Sequence, residues 1–157
     1  MDCFYEQFQT KDYSKIEKRM QILSRIALVM AILFLATLNV FGAIVFILMY
    51  LIVFIMSRKL IVEYEYELTG DELSIYKIMN KSKRKEIGSI NIKQISSVKK
   101  LDKISSNTKL VKAYLEESEN KPMVYLTKKS EGLVGFQLAI DENLMHLIKK
   151  VNPLIFY

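Results

Sequence analysis

The sequence predicts a membrane-anchored α+β protein: a hydrophobic helical hairpin, then a small curled β domain closed by a C-terminal helix. Three observations predict it. No charged residue stands between Arg25 and Arg58. Apolar and acidic residues then alternate from Val62 to Leu68. Near the end, Leu144, Leu147, Ile148 and Val151 recur at i, i+3, i+4 and i+7, the spacing of one helical face.

The run Ile26 to Met56 is apolar far beyond the length that marks a membrane-crossing candidate. As one helix it extends to roughly 46 Å, which fits a ~30 Å hydrocarbon core only at a tilt near 50°. Folding it in half removes that problem. Asn39 and Gly42 supply the turn chemistry, since both tolerate a left-handed backbone. The expected spans are 20–38 and 42–57 within an anchor of residues 20–58. Each is short for a full crossing, and snorkelling of Arg25 and Arg58 covers the shortfall. A cleaved signal peptide does not fit, because the apolar region starts late and runs too long. Two apolar core helices of a globular protein lack the polar face that such helices carry.

Charge sets the orientation. Lys11, Lys15, Lys18, Arg19 and Arg25 precede the run, Arg58 and Lys59 follow it, and the turn has none. The flanking basic residues Arg19, Arg25, Arg58 and Lys59 therefore place both termini in the cytoplasm, as a multi-pass protein of the cell membrane. Residues 1–19 interleave Phe4, Tyr5, Phe8, Tyr13 and Ile16 with charges. They read as a cytoplasmic segment, either lying at the headgroup level or forming a solvated tail.

The chain of 157 residues holds one domain besides the anchor. Its composition is 51% hydrophobic and 25% charged, two figures compatible only because the charges are segregated. The net charge of +6 is shared evenly between residues 1–59 and 60–157, too mild for a nucleic-acid binder. Cys3 is the single cysteine, so no intrachain disulfide forms; it stands where acylation is conceivable.

In residues 60–157, Val62, Tyr64, Tyr66 and Leu68 face one way and Glu63, Glu65 and Glu67 the other, a strand on a half-solvated sheet. The three carboxylates offer a cation site, with a plain solvated face as the ordinary reading. Thr69-Gly70-Asp71 turns into a second strand, Glu72 to Met79. Asn80 to Lys85 is a basic loop. Further strands are expected at 86–92, within 94–101, at 110–115 (strand or helix, with strand preferred), at 123–127 and at 133–140. Asp141 caps a helix over 142–151, with Lys149 and Lys150 favoured by its dipole. With essentially no linker after Lys59, the domain is expected beside the bilayer.

That element order resembles a pleckstrin-homology-like (PH-like) fold: about seven strands in a curled sheet or barrel, capped by a C-terminal amphipathic helix. More narrowly, the start MDCFYEQ and the stretch VEYEYELTGDELSI from Val62 to Ile75 resemble a family of small bacterial membrane proteins with an N-terminal two-helix hairpin and a C-terminal PH-like domain. The resemblance implies a cytoplasmic-membrane location and brings no activity and no catalytic residue. In PH domains that bind phosphoinositides, basic residues cluster around the first hairpin loop. Here that loop is acidic, Thr69-Gly70-Asp71-Glu72.

Lys81, Lys83, Arg84 and Lys85, with Lys77 nearby, form the candidate contact for anionic lipid. The plain alternative is a solvated loop. Lone His146 and distant Cys3 make no metal or catalytic constellation, and the five glycines stand singly. No enzyme activity, cofactor, metal or nucleic acid is expected. The expected function is a membrane-tethered interaction module with a protein partner. The alternative is a sensor of anionic lipid using residues 81–85. Ala27 and Ala31, four apart, point to homo-oligomerisation.

Overall fold

A computed structural model describes residues 3–101, 108–129 and 132–156. The chain divides into two compact units, Asp12–Val62 with Met79–Ser82, and Met1–Lys11 with Glu63–Ile78 and Lys83–Tyr157.

The first unit is a helical hairpin of α1 (Ser14–Ala36) and α2 (Val40–Leu60). Helix α1 starts six residues before the expected Met20. The apolar run marks only where the hydrophobic part begins, while the preceding Lys, Glu and Arg are good helix formers. Asp12 Oδ1 accepts from the Ser14 amide at 2.9 Å, and that backbone bond holds the Asp12 carboxyl below its ordinary range. At 23 and 21 residues the helices extend about 35 and 32 Å. Both are long and apolar enough to cross a membrane by length and composition, and the six residues α1 gains, Ser14 to Arg19, lengthen the helix without lengthening its apolar part.

The buried residues of the hairpin helices are small or slender: Ala27, Ala31, Ala43 and Val53. Their size allows close helix approach. The Ala27/Ala31 pair is buried within this hairpin. Other faces stay open, with Ile32 59%, Ile52 58% and Phe41 79% exposed. A soluble core helix hides such side chains.

The turn works differently from expectation. The left-handed residue is Leu38, at φ 57°. Its amide bonds Leu35 O at 3.0 Å and the Asn39 amide bonds Phe34 O at 2.9 Å, the paired closure that usually takes glycine at the left-handed position. Asn39 serves instead as the N-cap of α2, accepting from the Gly42 amide at 2.9 Å. Gly42 is needed for its lack of a side chain: a Cβ there overlaps the Phe34 ring, which stacks on Phe46 at 5.3 Å between centroids. At the open end Tyr13 Oη donates to Val62 O at 2.5 Å, and Lys81 pairs with Glu17 at 2.7 Å.

The second unit holds two four-stranded sheets. The first has the order β1 (Phe4–Gln9), β2 (Val62–Thr69), β3 (Glu72–Met79), β4 (Lys83–Asn91). The second runs β5 (Ile95–Lys99), β7 (Met123–Lys129), β8 (Gly132–Leu138), β6 (Lys109–Lys112), with β6 parallel to β8. Eight strands are therefore found among the described residues, against about seven expected, arranged as two sheets. The added one is β1, inside the segment expected as a tail. It pairs antiparallel with β2, Phe4 opposite Thr69 and Gln9 opposite Tyr64. Sequence order and spatial order differ here: the helical hairpin is inserted in the chain between two strands that are neighbours in one sheet.

The core collects Tyr66, Leu68, Leu73 and Ile75 from the first sheet and Val124, Tyr125, Phe136 and Leu138 from the second, all fully buried. Gly88 of β4 leaves room for the Phe136 ring, which a Cβ would strike. Helix α3 (Glu142–Val151) adds Leu144 and Ile148. Asp141 caps it through Oδ1, 2.7 Å from the Leu144 amide, and Asn152 Nδ2 ties its end to Ile92 O at 3.0 Å.

Two buried tyrosines differ in satisfaction. Tyr66 Oη donates to Ala113 O and accepts from the Ala139 amide at 3.3 Å. Tyr125 Oη has no partner among the described residues. Burial pushes both phenols up. Unfolded phenols lose their protons near pH 10, so stability is intact below about that pH and falls as pH rises beyond it. Tyr125→Phe, which removes an unpaired buried hydroxyl, should stabilise by about 1 kcal/mol and reduce the alkaline loss. Tyr66→Phe should destabilise by about 1–3 kcal/mol. Urea unfolding of the two variants at pH 7 and above pH 10 checks both signs.

Candidate functional site

Strand β1 is fixed by its inward side chains as well as its backbone. Gln7 and Gln9 are buried. Gln7 Nε2 donates to Ala139 O at 3.0 Å, and its Oε1 accepts from the Asp141 amide at 2.9 Å. Gln9 Nε2 also donates to Ala139 O, and its Oε1 accepts from the Leu115 amide at 3.2 Å. Tyr5 Oη donates to Asp141 Oδ2 at 2.7 Å; the carboxylate holds the phenolic proton and raises the Tyr5 pKa. The two amides thus satisfy backbone groups of Leu115, Ala139 and Asp141, and the phenol bonds the Asp141 side chain that caps α3. The sequence signal was the alternation in Phe4–Gln9. It is legible only once glutamines are allowed on the buried face.

Beside α3 lies a groove of about 560 Å³. Phe4, Leu68, Leu147 and Val151 give it apolar walls, and Cys3 and Lys150 stand along it. Phe4 is largely exposed. Asp71, on the same rim, pairs with Lys93.

On the outer face of the first sheet, Glu65 is buried at 4% exposure, not solvated as the alternation implied. Phe8 stands opposite it in register, and Arg84 covers it. Arg84 Nε is 3.0 Å from Glu65 Oε2; its Nη2 reaches Glu65 Oε1 and Glu67 Oε2 at 2.5 Å each. The guanidinium also lies 3.6 Å from the Tyr76 ring centroid. Its bonds to Glu65 and Glu67 raise the Arg84 pKa. Carboxylate oxygens of Glu6, Glu65 and Glu67 lie within 4.8 Å of one another, and Arg84 supplies the positive charge there.

The model of the family described as Bacterial PH-like domain (DUF6106) matches residues 1–157. The chain belongs to this family. The match spans the helical hairpin as well as both sheets of the PH-like domain. No curated protein and no solved structure matches the chain.

The four residues expected to contact anionic lipid do not form one loop. The turn before β4 is shorter than the sequence implied, so Lys83, Arg84 and Lys85 lie on strand β4. Charged residues suit an edge strand, where they discourage pairing with another chain. In this PH-like domain Arg84 is held by two glutamates, while Lys83 and Lys85 are exposed. Lys81 belongs to the hairpin unit and pairs with Glu17. Arg19 and Arg25 are exposed on α1, and Arg58 and Lys59 are exposed in the last turn of α2. His146 is exposed on α3.

Arg84→Met leaves the buried Glu65 carboxylate without its main partner. It should cost about 1–3 kcal/mol, whereas Lys83→Met and Lys85→Met should stay within about 0.5 kcal/mol of the parent. Denaturant midpoints of the three variants make the comparison.

Proposed function

We propose that the chain is a membrane-tethered, non-enzymatic interaction module that holds its PH-like domain at the cytoplasmic face of the cell membrane, with both termini cytoplasmic. The observation carrying this reading is the pairing of β1 with β2 across the inserted hairpin. Two strands hydrogen-bonded to each other lie on one side of any bilayer, so a helical insertion between them has to enter and return. A hairpin of two apolar helices does that; one span does not. The charges agree: basic residues stand at both ends of the hairpin and none stands in its turn.

The surface offered to a protein partner is the groove beside α3. Its apolar walls suit the anchor side chains of an incoming helix or strand, and Lys150 favours a partner with acidic flanks.

Crosslinking in intact membranes, followed by capture of the full chain, should recover a reproducible partner set that is lost with Leu147→Glu. Recovery of the same set with that variant counts against the groove. A reporter fused after Tyr157 should be active only in the cytoplasm; activity only outside contradicts the tether.

A further inference from the structure

We infer that the open end of the helical hairpin is a binding site for one anionic glycerophospholipid, seated between α1 and α2. This rests on the membrane reading above and adds the lipid class and the residues that select it. A groove of about 380 Å³ runs between the two helices there. Gln21, Ser24 and Ser57 line it together with Met20, Val53 and Phe54, so one lining carries polar and apolar groups at the same depth. A glycerophosphate backbone with the start of an acyl chain needs that mixture.

The polar groups are selective. Ser24 Oγ donates to Gln21 O at 2.9 Å and Ser57 Oγ to Phe54 O at 2.8 Å. Their protons are occupied, and their oxygens remain as acceptors for headgroup hydroxyls. The wall also contains Glu17, whose charge is balanced by Lys81 at 2.7 Å.

Arg58 borders the groove at Phe54, and helical spacing puts Lys18 and Arg25 on the Gln21 side of α1. Lys18 and Arg25 stand three residues before and four after Gln21 on α1, and Arg58 stands four after Phe54 on α2, the spacings that bring helical side chains together. Arg58 is seen there, its guanidinium 4.3 Å from the Phe54 ring centroid. Neither Arg25 nor Arg58 forms an ion pair with a carboxylate among the described residues, while Lys18 lies close enough to Asp12 to stabilise its carboxylate. The two arginines differ in depth. Arg25 is eleven residues from the end of α1 at the turn, while Arg58 is eighteen from the start of α2. Arg25 therefore lies about 10 Å nearer the turn. A cation at that depth in a bilayer is favoured by an anion brought to it, and a lipid phosphate reaching down the groove supplies one. Lys18 and Arg58 then hold the headgroup above.

The test uses the full chain in detergent micelles carrying either dioleoyl phosphatidylglycerol or dioleoyl phosphatidylcholine, with bound lipid read by native mass spectrometry. The parent should retain one phosphatidylglycerol in preference to phosphatidylcholine, more weakly as salt rises. Arg25→Gln/Arg58→Gln should lower retention at least about tenfold, by the contribution of two charges near an anionic headgroup. Lys83→Gln/Lys85→Gln, which removes the same charge from β4, should leave it unchanged. Equal retention of the two lipids by the parent, or an equal fall in both double variants, overturns the site. Carbonate extraction of native membranes separates this from failure of the tether. A chain that stays in the membrane but shows no lipid preference sinks the site alone, and a chain released as a soluble monomer sinks both.

Discussion

Pairing between β1 and β2 is the constraint on which the rest depends. The six residues of β1 before the helices pair with Tyr64 to Thr69 of β2 after them in one antiparallel register. More than fifty residues separate the two strands in the chain. Closing so long a loop by a flexible segment has an entropic cost that grows only slowly with length, and here the loop is largely two packed helices. Tyr13 against Val62 O and Lys81 against Glu17 draw the helix ends together. The small residues Ala27, Ala31, Ala43 and Gly42 let the helices lie close along their length. The geometry of the hairpin and the register of the sheet therefore ask for the same thing: two chain ends side by side.

Strand β1 also completes the domain beyond its own sheet. Gln7, Gln9 and Tyr5 bond Ala139, Leu115 and Asp141, so the strand preceding the helices stabilises the entry to the helix that ends the fold. Asp141 then has two tasks, capping α3 through one oxygen and receiving Tyr5 on the other. Phe4 meanwhile lines the groove beside α3. The same six residues thus connect the inserted helices, the sheet and the surface proposed for partner binding.

Legibility in the sequence followed hydrophobic patterning. Strand β3 and helix α3 were readable because Leu73 and Ile75, and Leu144 and Ile148, bury apolar faces at the period of their elements. The two apolar helices were readable from the uncharged run alone. Strand β1 was hidden because its inner face is amide rather than hydrocarbon, and because its partner lies far along the chain. The start of β4 was hidden for a related reason. Lys83, Arg84 and Lys85 read as a solvated loop, whereas an edge strand carries such charge readily. Glu65 looked solvated because alternation reports which face a residue occupies, not what Phe8 and Arg84 place over it. Asn39 and Gly42 were read as the turn, whereas Asn39 caps α2, Gly42 lies within it, and the left-handed residue is Leu38. The groove beside α3 needed three separated segments to meet and left no local signature.

The most direct measurement of the central pairing is a disulfide trap in the full chain in membranes, with Cys3→Ser as background. Glu6→Cys/Glu67→Cys places thiols on directly opposed residues of β1 and β2, whose Cα separation in an antiparallel pair, about 4.5–5.5 Å, is one a disulfide spans. Glu6→Cys/Glu63→Cys displaces one thiol by four residues along β2, about 13 Å. The account predicts rapid intrachain crosslinking of the first pair under mild oxidation and little of the second. Equal, slow crosslinking of both would contradict it, leaving residues 4–9 as a tail and the hairpin without its anchor point in the sheet.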